Sequence, residues 1–205
     1  MAGTILEWLD SNKTELLGAI LGILYIRFST KQNILTWPTG ILTSLLYVLV
    51  FFKSALYAAM SLQGYYVAIS FYGWYFWLKG NETNKKIPLP VRLTNKKLWI
   101  KLGTFSILIY IIILFILIRF SDSDVPFLDS LTTTLSIIAT WMLAKKYLEN
   151  WIIWIFVDVV STGLYIYKSL WPTVILFLVY TIMAFFGYIE WKKDLKPENW
   201  NINPK

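Results

Sequence analysis

The stretch from Leu98 to Ile118, LWIKLGTFSILIYIIILFILI, decides the fold class of this chain. A helix that crosses the ~30 Å hydrocarbon core of a bilayer needs about 20 consecutive apolar residues. This stretch supplies that length and carries one charged residue, Lys101. It therefore predicts a membrane-spanning helix near the middle of the chain.

Working outward from this helix, further apolar segments follow one another on both sides, separated by short polar breaks. The whole chain is 57% hydrophobic and 15% charged, which is far more apolar than an average soluble domain. We predict an all-α membrane protein, a single membrane domain over residues 1–205. Its seven transmembrane helices are expected at 14–28, 33–52, 55–78, 98–118, 127–144, 150–167 and 170–190.

The basic residues fall unevenly on the two sides of these spans. Of 19 Lys and Arg residues, four lie on the side of the N-terminus, namely Lys13, Lys53, Arg119 and Lys168. Loops rich in Lys and Arg stay cytoplasmic, so we expect the N-terminus outside and the C-terminus in the cytoplasm. The net charge of +7 is explained by this distribution, and we expect no nucleic-acid partner.

The composition also excludes several kinds of chemistry. The chain has no Cys and no His, which removes the commonest metal ligands and the usual general base near neutral pH. A phosphate-binding loop of the type GxxxxGK[ST] and the dinucleotide motif GxGxxG are missing as well. We therefore expect no cofactor, no bound metal, no ATP-driven pumping and no enzyme activity.

An internal repeat relates the two ends of the chain. Shifting the sequence by 114 positions places five residues on identical ones: Trp37 on Trp151, Tyr66 on Tyr180, Gly73 on Gly187, Trp77 on Trp191 and Lys79 on Lys193. Two apolar segments share some aromatic residues by chance, which is the alternative. We predict two three-helix repeats, 14–79 and 127–193, joined by the linker helix 98–118. This 3+1+3 order makes the repeats parallel, as in some transporters with a substrate site between halves.

The sixth predicted span carries an acidic residue at its centre. Asp158 is the one acid in the central stretches of all seven spans, and a buried intramembrane carboxylate indicates a functional site by default. It belongs to a stripe at helical spacing, formed by Trp151, Trp154, Asp158, Thr162 and Tyr165. We predict that this stripe faces protein or water.

A second stripe on the third span contains Gln63, Tyr66, Ser70, Trp74 and Trp77, and the second span repeats it weakly with Trp37, Ser44 and Tyr47. Indole rings beside one carboxylate suit a small, flat, cationic aromatic ligand, because π faces attract positive charge. The predicted binding residues are Trp151, Trp154, Asp158, Gln63, Tyr66, Ser70, Thr162, Trp37, Tyr47 and Tyr180.

Structural roles remain open for several of these residues. Trp and Tyr near span ends often form interfacial belts. Asp158 could instead pair with Lys168 or with a serine of a neighbouring helix, and Gln63 could join two helices through a hydrogen bond. The sequence alone does not decide between these roles and ligand binding.

Five strings of residues resemble the PnuC family of bacterial vitamin transporters. They are Phe71-Tyr72-Gly73-Trp74-Tyr75-Phe76-Trp77, Ile87-Pro88-Leu89-Pro90, Pro126-Phe127-Leu128-Asp129-Ser130, Leu135-Ser136-Ile137-Ile138-Ala139 and Lys146-Tyr147-Leu148-Glu149-Asn150-Trp151-Ile152-Ile153-Trp154. The similarity runs from about residue 30 to 193. The string Glu-Asn-Trp-x-x-Trp is its most specific part.

The resemblance implies a 3+1+3 bundle similar in architecture to the SWEET sugar transporters, often a homotrimer, in the bacterial inner membrane. Such proteins move an unphosphorylated vitamin precursor by facilitated diffusion, and a cytosolic vitamin kinase then traps it. Nicotinamide riboside is the best-known substrate, and relatives carry thiamine, riboflavin or deoxynucleosides. Family members line the site with the Trp-x-x-Trp pair and with polar residues on the third, sixth and seventh spans. Gln63, Trp151 and Trp154 match this pattern.

The chain departs from the family at three positions. Riboside transporters of the enterobacterial type carry Asn where this chain has Ser70, Asp158 and Phe186, so the identity of the ligand stays open. Nicotinamide riboside leads and thiamine is the alternative. Both are cationic heteroaromatics that suit Asp158.

Two other functional classes compete with a transporter. A non-transporting binding or sensing protein is the second class, and an intramembrane enzyme is the third. An enzyme would need an acid, base or metal ligand beside Asp158, which no span supplies at i+3 or i+4.

Overall fold

The computed structural model describes residues 13–53, 57–80, 88–121, 123–167, 169 and 171–195. Within these residues the chain folds into seven helices and one isolated β-bridge, which confirms the all-α prediction. The helices are α1 (Lys13–Thr30), α2 (Thr36–Lys53), α3 (Tyr57–Lys79), α4 (Lys96–Phe120), α5 (Pro126–Ala144), α6 (Asn150–Tyr167) and α7 (Trp171–Lys193).

Four of the described segments are long and apolar enough to cross a membrane: α4, α5, α6 and residues Thr173–Lys193 of α7. Two shorter apolar stretches, Leu17–Thr30 and Thr36–Leu49, lie in α1 and α2. The chain is therefore a multi-span membrane protein. The count of seven crossings stays a prediction.

The helices divide into two compact units at Leu78 and Lys79. The first unit contains α1 to α3, and within it α1 packs against α2. The second unit contains α4 to α7, each packed against the next along the chain. Apolar side chains of α4 and α5, among them Leu102, Ile138 and Met142, form a buried cluster in the second unit.

A tight turn joins α1 to α2 in the first unit. Gln32 adopts a left-handed conformation with φ 51°, the N–H of Gln32 bonds to the Ser29 carbonyl at 3.0 Å, and the N–H of Asn33 bonds to the Phe28 carbonyl at 2.9 Å. This pair of bonds is the Schellman motif that closes helix C-termini. Helix α2 begins after this turn at Thr36, whose hydroxyl donates a hydrogen bond to the Asn33 carbonyl at 2.7 Å.

The turn between α5 and α6 repeats this geometry 114 residues later. Lys146 has φ 56°, its N–H bonds to the Leu143 carbonyl at 3.0 Å, and the N–H of Tyr147 bonds to the Met142 carbonyl at 2.9 Å. The side-chain amide of Asn150, at the position equivalent to Thr36, donates to the Tyr147 carbonyl at 2.6 Å. The same backbone turn thus occurs in both units.

A tryptophan ring lies against a glycine in each unit. In the first unit Trp37 of α2, fully buried, covers Gly73 of α3 and meets Trp77 edge to face, with ring centroids 5.2 Å apart. In the second unit Trp151 of α6 covers Gly187 of α7 and meets Trp191 edge to face at 5.5 Å. Because glycine has no Cβ, the helix backbones can approach closely enough for the ring to fill the space between them.

The segment before α4 is bonded to the α5–α6 turn within the second unit. Arg92 exchanges two backbone hydrogen bonds with this turn, to the Lys146 carbonyl at 3.0 Å and from the Leu148 N–H at 2.9 Å. Its guanidinium lies 4.5 Å from the centre of the Tyr147 ring. The Glu149 carboxylate accepts hydrogen bonds from both the N–H and the hydroxyl of Thr94, at 2.8 and 2.9 Å. These contacts hold the start of α4 against the start of α6.

Lys146 is buried at the centre of this contact, with 4% of its surface exposed. Burial disfavours the charged ammonium and lowers the pKa of Lys146 to about 8, and the nearby Asp194 carboxylate opposes part of this shift. The turn therefore carries a titratable group outside the membrane spans.

Replacing Gly73 by alanine should destabilise the first unit. The added Cβ would overlap the Trp37 ring, and such overpacking typically costs about 1–3 kcal/mol. The matched control is Gly64→Ala in the same helix, where a Cβ meets no atom within 4 Å. Thermal unfolding in detergent should show a lower Tm for Gly73→Ala and an unchanged or higher Tm for Gly64→Ala. Equal Tm values for the two variants would contradict the packing described.

The stability of the protein should depend on pH through Lys146. Because its pKa is lower in the folded than in the unfolded chain, the unfolded chain binds more protons between about pH 8 and 10.5. The free energy of unfolding contributed by this group therefore rises with pH across that window.

Thermal unfolding is measured at about pH 7.5 and about pH 10, which cover most of that window. The difference in Tm between the two pH values reports the contribution of Lys146. The rise in Tm should be larger for the wild type than for Lys146→Met, while Lys97→Met, at an exposed position, should behave as the wild type does. If Tm rose with pH as much in Lys146→Met as in the wild type, Lys146 would not be a source of the pH dependence.

Candidate functional site

Helix α6 presents its polar stripe to the interior of the second unit. Trp151, Asp158, Ser161 and Thr162 are buried on one side of the helix. The opposite side carries exposed apolar side chains, Ile152, Phe156, Val159 and Ile166, as expected for a face in contact with lipid. The helix therefore directs Asp158 away from the hydrocarbon.

Asp158 is 3% exposed and lies near the middle of α6. Its backbone carbonyl accepts a hydrogen bond from the Thr162 hydroxyl at 2.7 Å. No side chain among the described residues donates a hydrogen bond to its carboxylate or forms an ion pair with it; Lys168, the partner considered from sequence, lies outside the described residues. A buried carboxylate is stable only when it is paired or neutralised, so this side chain is suited to a cationic ligand.

The two indoles of the Trp-x-x-Trp pair have different surroundings. Trp151, 2% exposed, fills the space over Gly187. Trp154 is half-buried and makes no ring contact with another aromatic side chain in the described part of the chain. Trp151 therefore packs between α6 and α7, and a ligand contact of Trp154 stays a prediction.

The remaining predicted residues of the second unit also have defined contacts. The Thr162 hydroxyl donates its proton to the Asp158 backbone carbonyl, so it offers a ligand only its acceptor lone pairs. Tyr180 of α7 packs on Phe177 at 5.6 Å, and Phe177 packs on Tyr165 of α6 at 4.9 Å. This aromatic cluster lies between the two helices that carry Asp158 and Tyr180.

The first unit contains the other five predicted residues. Trp37 is the ring that covers Gly73. The Tyr47 hydroxyl lies against Gly18 of α1 and the Ser70 hydroxyl against Gly40 of α2. Tyr66 packs beside Tyr65 at 5.6 Å, and Gln63 is half-buried on the same helix, α3. Each unit thus brings its own five residues onto neighbouring helices. A single site assembled from both units stays a prediction.

The structure describes a buried hydroxyl that the sequence pattern did not select. Thr134 of α5 is 1% exposed, and its hydroxyl has no hydrogen-bond partner among the described residues. In the sequence it is the last of three consecutive threonines, Thr132 to Thr134, and Ser136 follows two residues later. Nothing in that run distinguishes a hydroxyl that bonds to its own helix from one that does not.

The described residues contain no group of three acidic side chains that could hold a metal ion. The predicted binding groups of the second unit are the Asp158 carboxylate, the Trp154 indole and the Thr162 hydroxyl. This set can bind a polar aromatic cation, and it provides no nucleophile with an adjacent base.

Comparison with known proteins assigns these features to a family. Residues 12–193 match the family model described as the nicotinamide mononucleotide transporter. The nicotinamide riboside transporter PnuC of Escherichia coli is 26% identical over an alignment 205 positions long, gaps included, which covers 89% of this chain and 86% of that protein. The riboflavin/roseoflavin transporter RibM of Streptomyces davaonensis is 22% identical over 192 residues, covering 90% and 88%.

A solved structure shares the fold. The crystal structure of the vitamin B3 transporter PnuC superposes with a TM-score of 0.74 at 24% identity, over 93% of this chain and 85% of that one. The resemblance to the PnuC family seen in the sequence is thereby confirmed.

Proposed function

Because the chain belongs to the nicotinamide mononucleotide transporter family, we propose that it is a uniporter for an unphosphorylated vitamin precursor, with nicotinamide riboside as the leading substrate. The family is one of membrane transporters of vitamins and not of enzymes. The relatives support a vitamin as the cargo. The choice of nicotinamide riboside as the substrate, and of alternating access as the mechanism, is supported by residues of this chain.

The observation that carries the proposal is the Asp158 carboxylate, buried in the middle of α6 without a partner among the described side chains. A pyridinium ring would supply the missing positive charge, and the carboxylate would replace part of the water that the cation loses. Trp154, one turn earlier on the same stripe, would lie against the face of the ring. Cation–π contacts of this kind contribute about 0.5–2 kcal/mol.

The proposed mechanism is alternating access between two parallel three-helix repeats, 14–79 and 127–193, joined by the linker helix 98–118. The matching turns at Gln32 and Lys146 and the matching Trp–Gly contacts support this duplication. Rocking of one repeat against the other around a central site would expose the site to each side in turn. The uneven distribution of Lys and Arg supports an N-terminus outside and a C-terminus in the cytoplasm.

Three further parts of the proposal rest on the family resemblance: a location in the bacterial inner membrane, assembly as a homotrimer, and trapping of the imported precursor by a cytosolic vitamin kinase. Trapping would make net uptake possible without an energy source in the transporter, which fits a chain without a nucleotide-binding motif.

Thiamine is the alternative substrate, because its thiazolium ring is also a cationic heteroaromatic and would satisfy Asp158 equally well. Riboflavin, named for the relative RibM, is a neutral flavin and gives the Asp158 carboxylate no counter-charge. The carboxylate therefore ranks the cationic vitamins above the flavin.

Uptake into liposomes tests the transport proposal directly. Purified protein in liposomes without ATP or an ion gradient should equilibrate labelled nicotinamide riboside across the membrane. Trp154→Ala should lower the uptake rate at low substrate concentration about tenfold, by loss of the cation–π contact. Trp99→Ala, an exposed indole of α4, is the control and should transport normally. If neither nicotinamide riboside nor thiamine equilibrates, or if Trp154→Ala transports at the wild-type rate, the proposal is wrong.

The charge of Asp158 should determine selectivity for cations. Wild-type protein should prefer cationic nicotinamide riboside over its neutral dihydro form by about tenfold or more, since a hydrogen bond or contact to a charged group is worth about 1.5–3 kcal/mol. Asp158→Asn should remove this preference while retaining uptake of the neutral form. Competition between the two substrates in the same liposomes measures the ratio. A ratio that stays the same in Asp158→Asn would show that the carboxylate does not face the ring.

A further inference from the structure

Thr134 differs from the other buried hydroxyl residues of α5. A Ser or Thr in a helix usually returns its hydroxyl proton to the carbonyl one turn earlier. Ser130, Ser136 and Thr140 do so, bonding to the carbonyls of Pro126, Thr132 and Ser136 at 2.6 to 2.8 Å. The Thr134 hydroxyl, although almost fully buried, bonds to no described atom.

This hydroxyl lies at the depth of Asp158. Thr134 precedes the last residue of α5, Ala144, by ten positions, and Asp158 follows the first residue of α6, Asn150, by eight. At 1.5 Å per residue the two lie about 15 Å and about 12 Å from the connecting turn, less than one helical turn apart. The two helices are antiparallel neighbours within the second unit and pack against each other.

A hydroxyl and a carboxylate are therefore buried at one level of two adjacent helices, and neither has a partner among the described side chains. Leaving a buried hydroxyl unsatisfied costs about 1–3 kcal/mol. A protein that keeps such a group without need loses stability, whereas a ligand that bonds to it recovers this energy on binding.

We propose that Thr134 is a specificity-determining residue of the substrate site, whose hydroxyl bonds a hydroxyl group of the ligand while Asp158 faces the cationic ring. This inference rests on the proposed transport function and adds α5 to the helices that contact substrate. Both candidate vitamins carry an aliphatic hydroxyl, on the ribose of nicotinamide riboside and on the side chain of thiamine. A hydroxyl can both donate and accept, so Thr134 fits either orientation of that group.

The test compares Thr134→Val with Thr140→Val, the same change at another buried position of α5 whose hydroxyl is satisfied by its own helix. Valine keeps the shape of threonine and removes only the hydrogen-bonding group. Tm in detergent is measured without ligand, the Kd for nicotinamide riboside and thiamine by quenching of tryptophan fluorescence, and uptake in liposomes.

For Thr134→Val we expect an unchanged or higher Tm without ligand, because an unsatisfied buried group has been removed. We also expect a Kd about tenfold higher for the transported vitamin. Thr140→Val should keep the wild-type Kd. Thr134→Ser, which keeps a hydroxyl, should bind within about threefold of the wild type. A Thr134→Val protein that fails to fold counts as one with a lower Tm.

The outcomes separate this inference from the proposed function. If wild-type protein binds and transports a vitamin but Thr134→Val binds it equally well, Thr134 is not a contact and only this inference is overturned. A lower Tm for ligand-free Thr134→Val would also overturn it, because the hydroxyl would then have a structural partner. If wild-type protein neither binds nor transports either vitamin, both the proposed function and this inference are wrong.

Discussion

The contact of a tryptophan ring with a glycine sets the geometry of each unit. Helices in a bilayer gain no hydrophobic energy by leaving lipid for each other, so they associate where close packing is possible. Trp151 on Gly187 provides such a contact between α6 and α7. Because Asp158 lies two turns further along the same stripe, the rotation of α6 that seats the Trp151 ring also turns the carboxylate toward the interior. Trp151, which the sequence predicts to stack on a ligand, thus also orients the helix that carries Asp158.

The two units use equivalent positions for different purposes. The turn residues Gln32 and Lys146 and the packing residues around Gly73 and Gly187 keep the same geometry 114 residues apart. The position that holds Asp158 in the second unit holds Ser44 in the first, and both side chains are buried. A common scaffold thus carries a hydroxyl in one unit and a carboxylate in the other. The polar chemistry that suits a cation is concentrated in the second unit.

Periodicity and hydropathy were sufficient to predict the helices, since a 20-residue apolar run has few alternatives in lipid. They also placed Asp158 on an inward stripe, because helical spacing identifies a face. They could not predict that Trp151 is fully buried against Gly187 while Trp154 is half-buried, since that difference depends on how closely α7 approaches. The pairing of Arg92 with the α5–α6 turn is distant in sequence and has no local signal. Thr134 escaped detection because a hydroxyl's bond to its own helix depends on side-chain rotamer, which residue type does not reveal.

A ligand cation beside the Asp158 carboxylate is the central feature of the proposed mechanism, and a structure of the protein with nicotinamide riboside bound measures this directly. We expect the pyridinium ring within about 4–6 Å of the carboxylate, the range over which opposite charges interact strongly, with one ring face against Trp154. A ligand bound elsewhere, or an α6 whose Asp158 and Trp154 side chains face the lipid tails, would contradict the account.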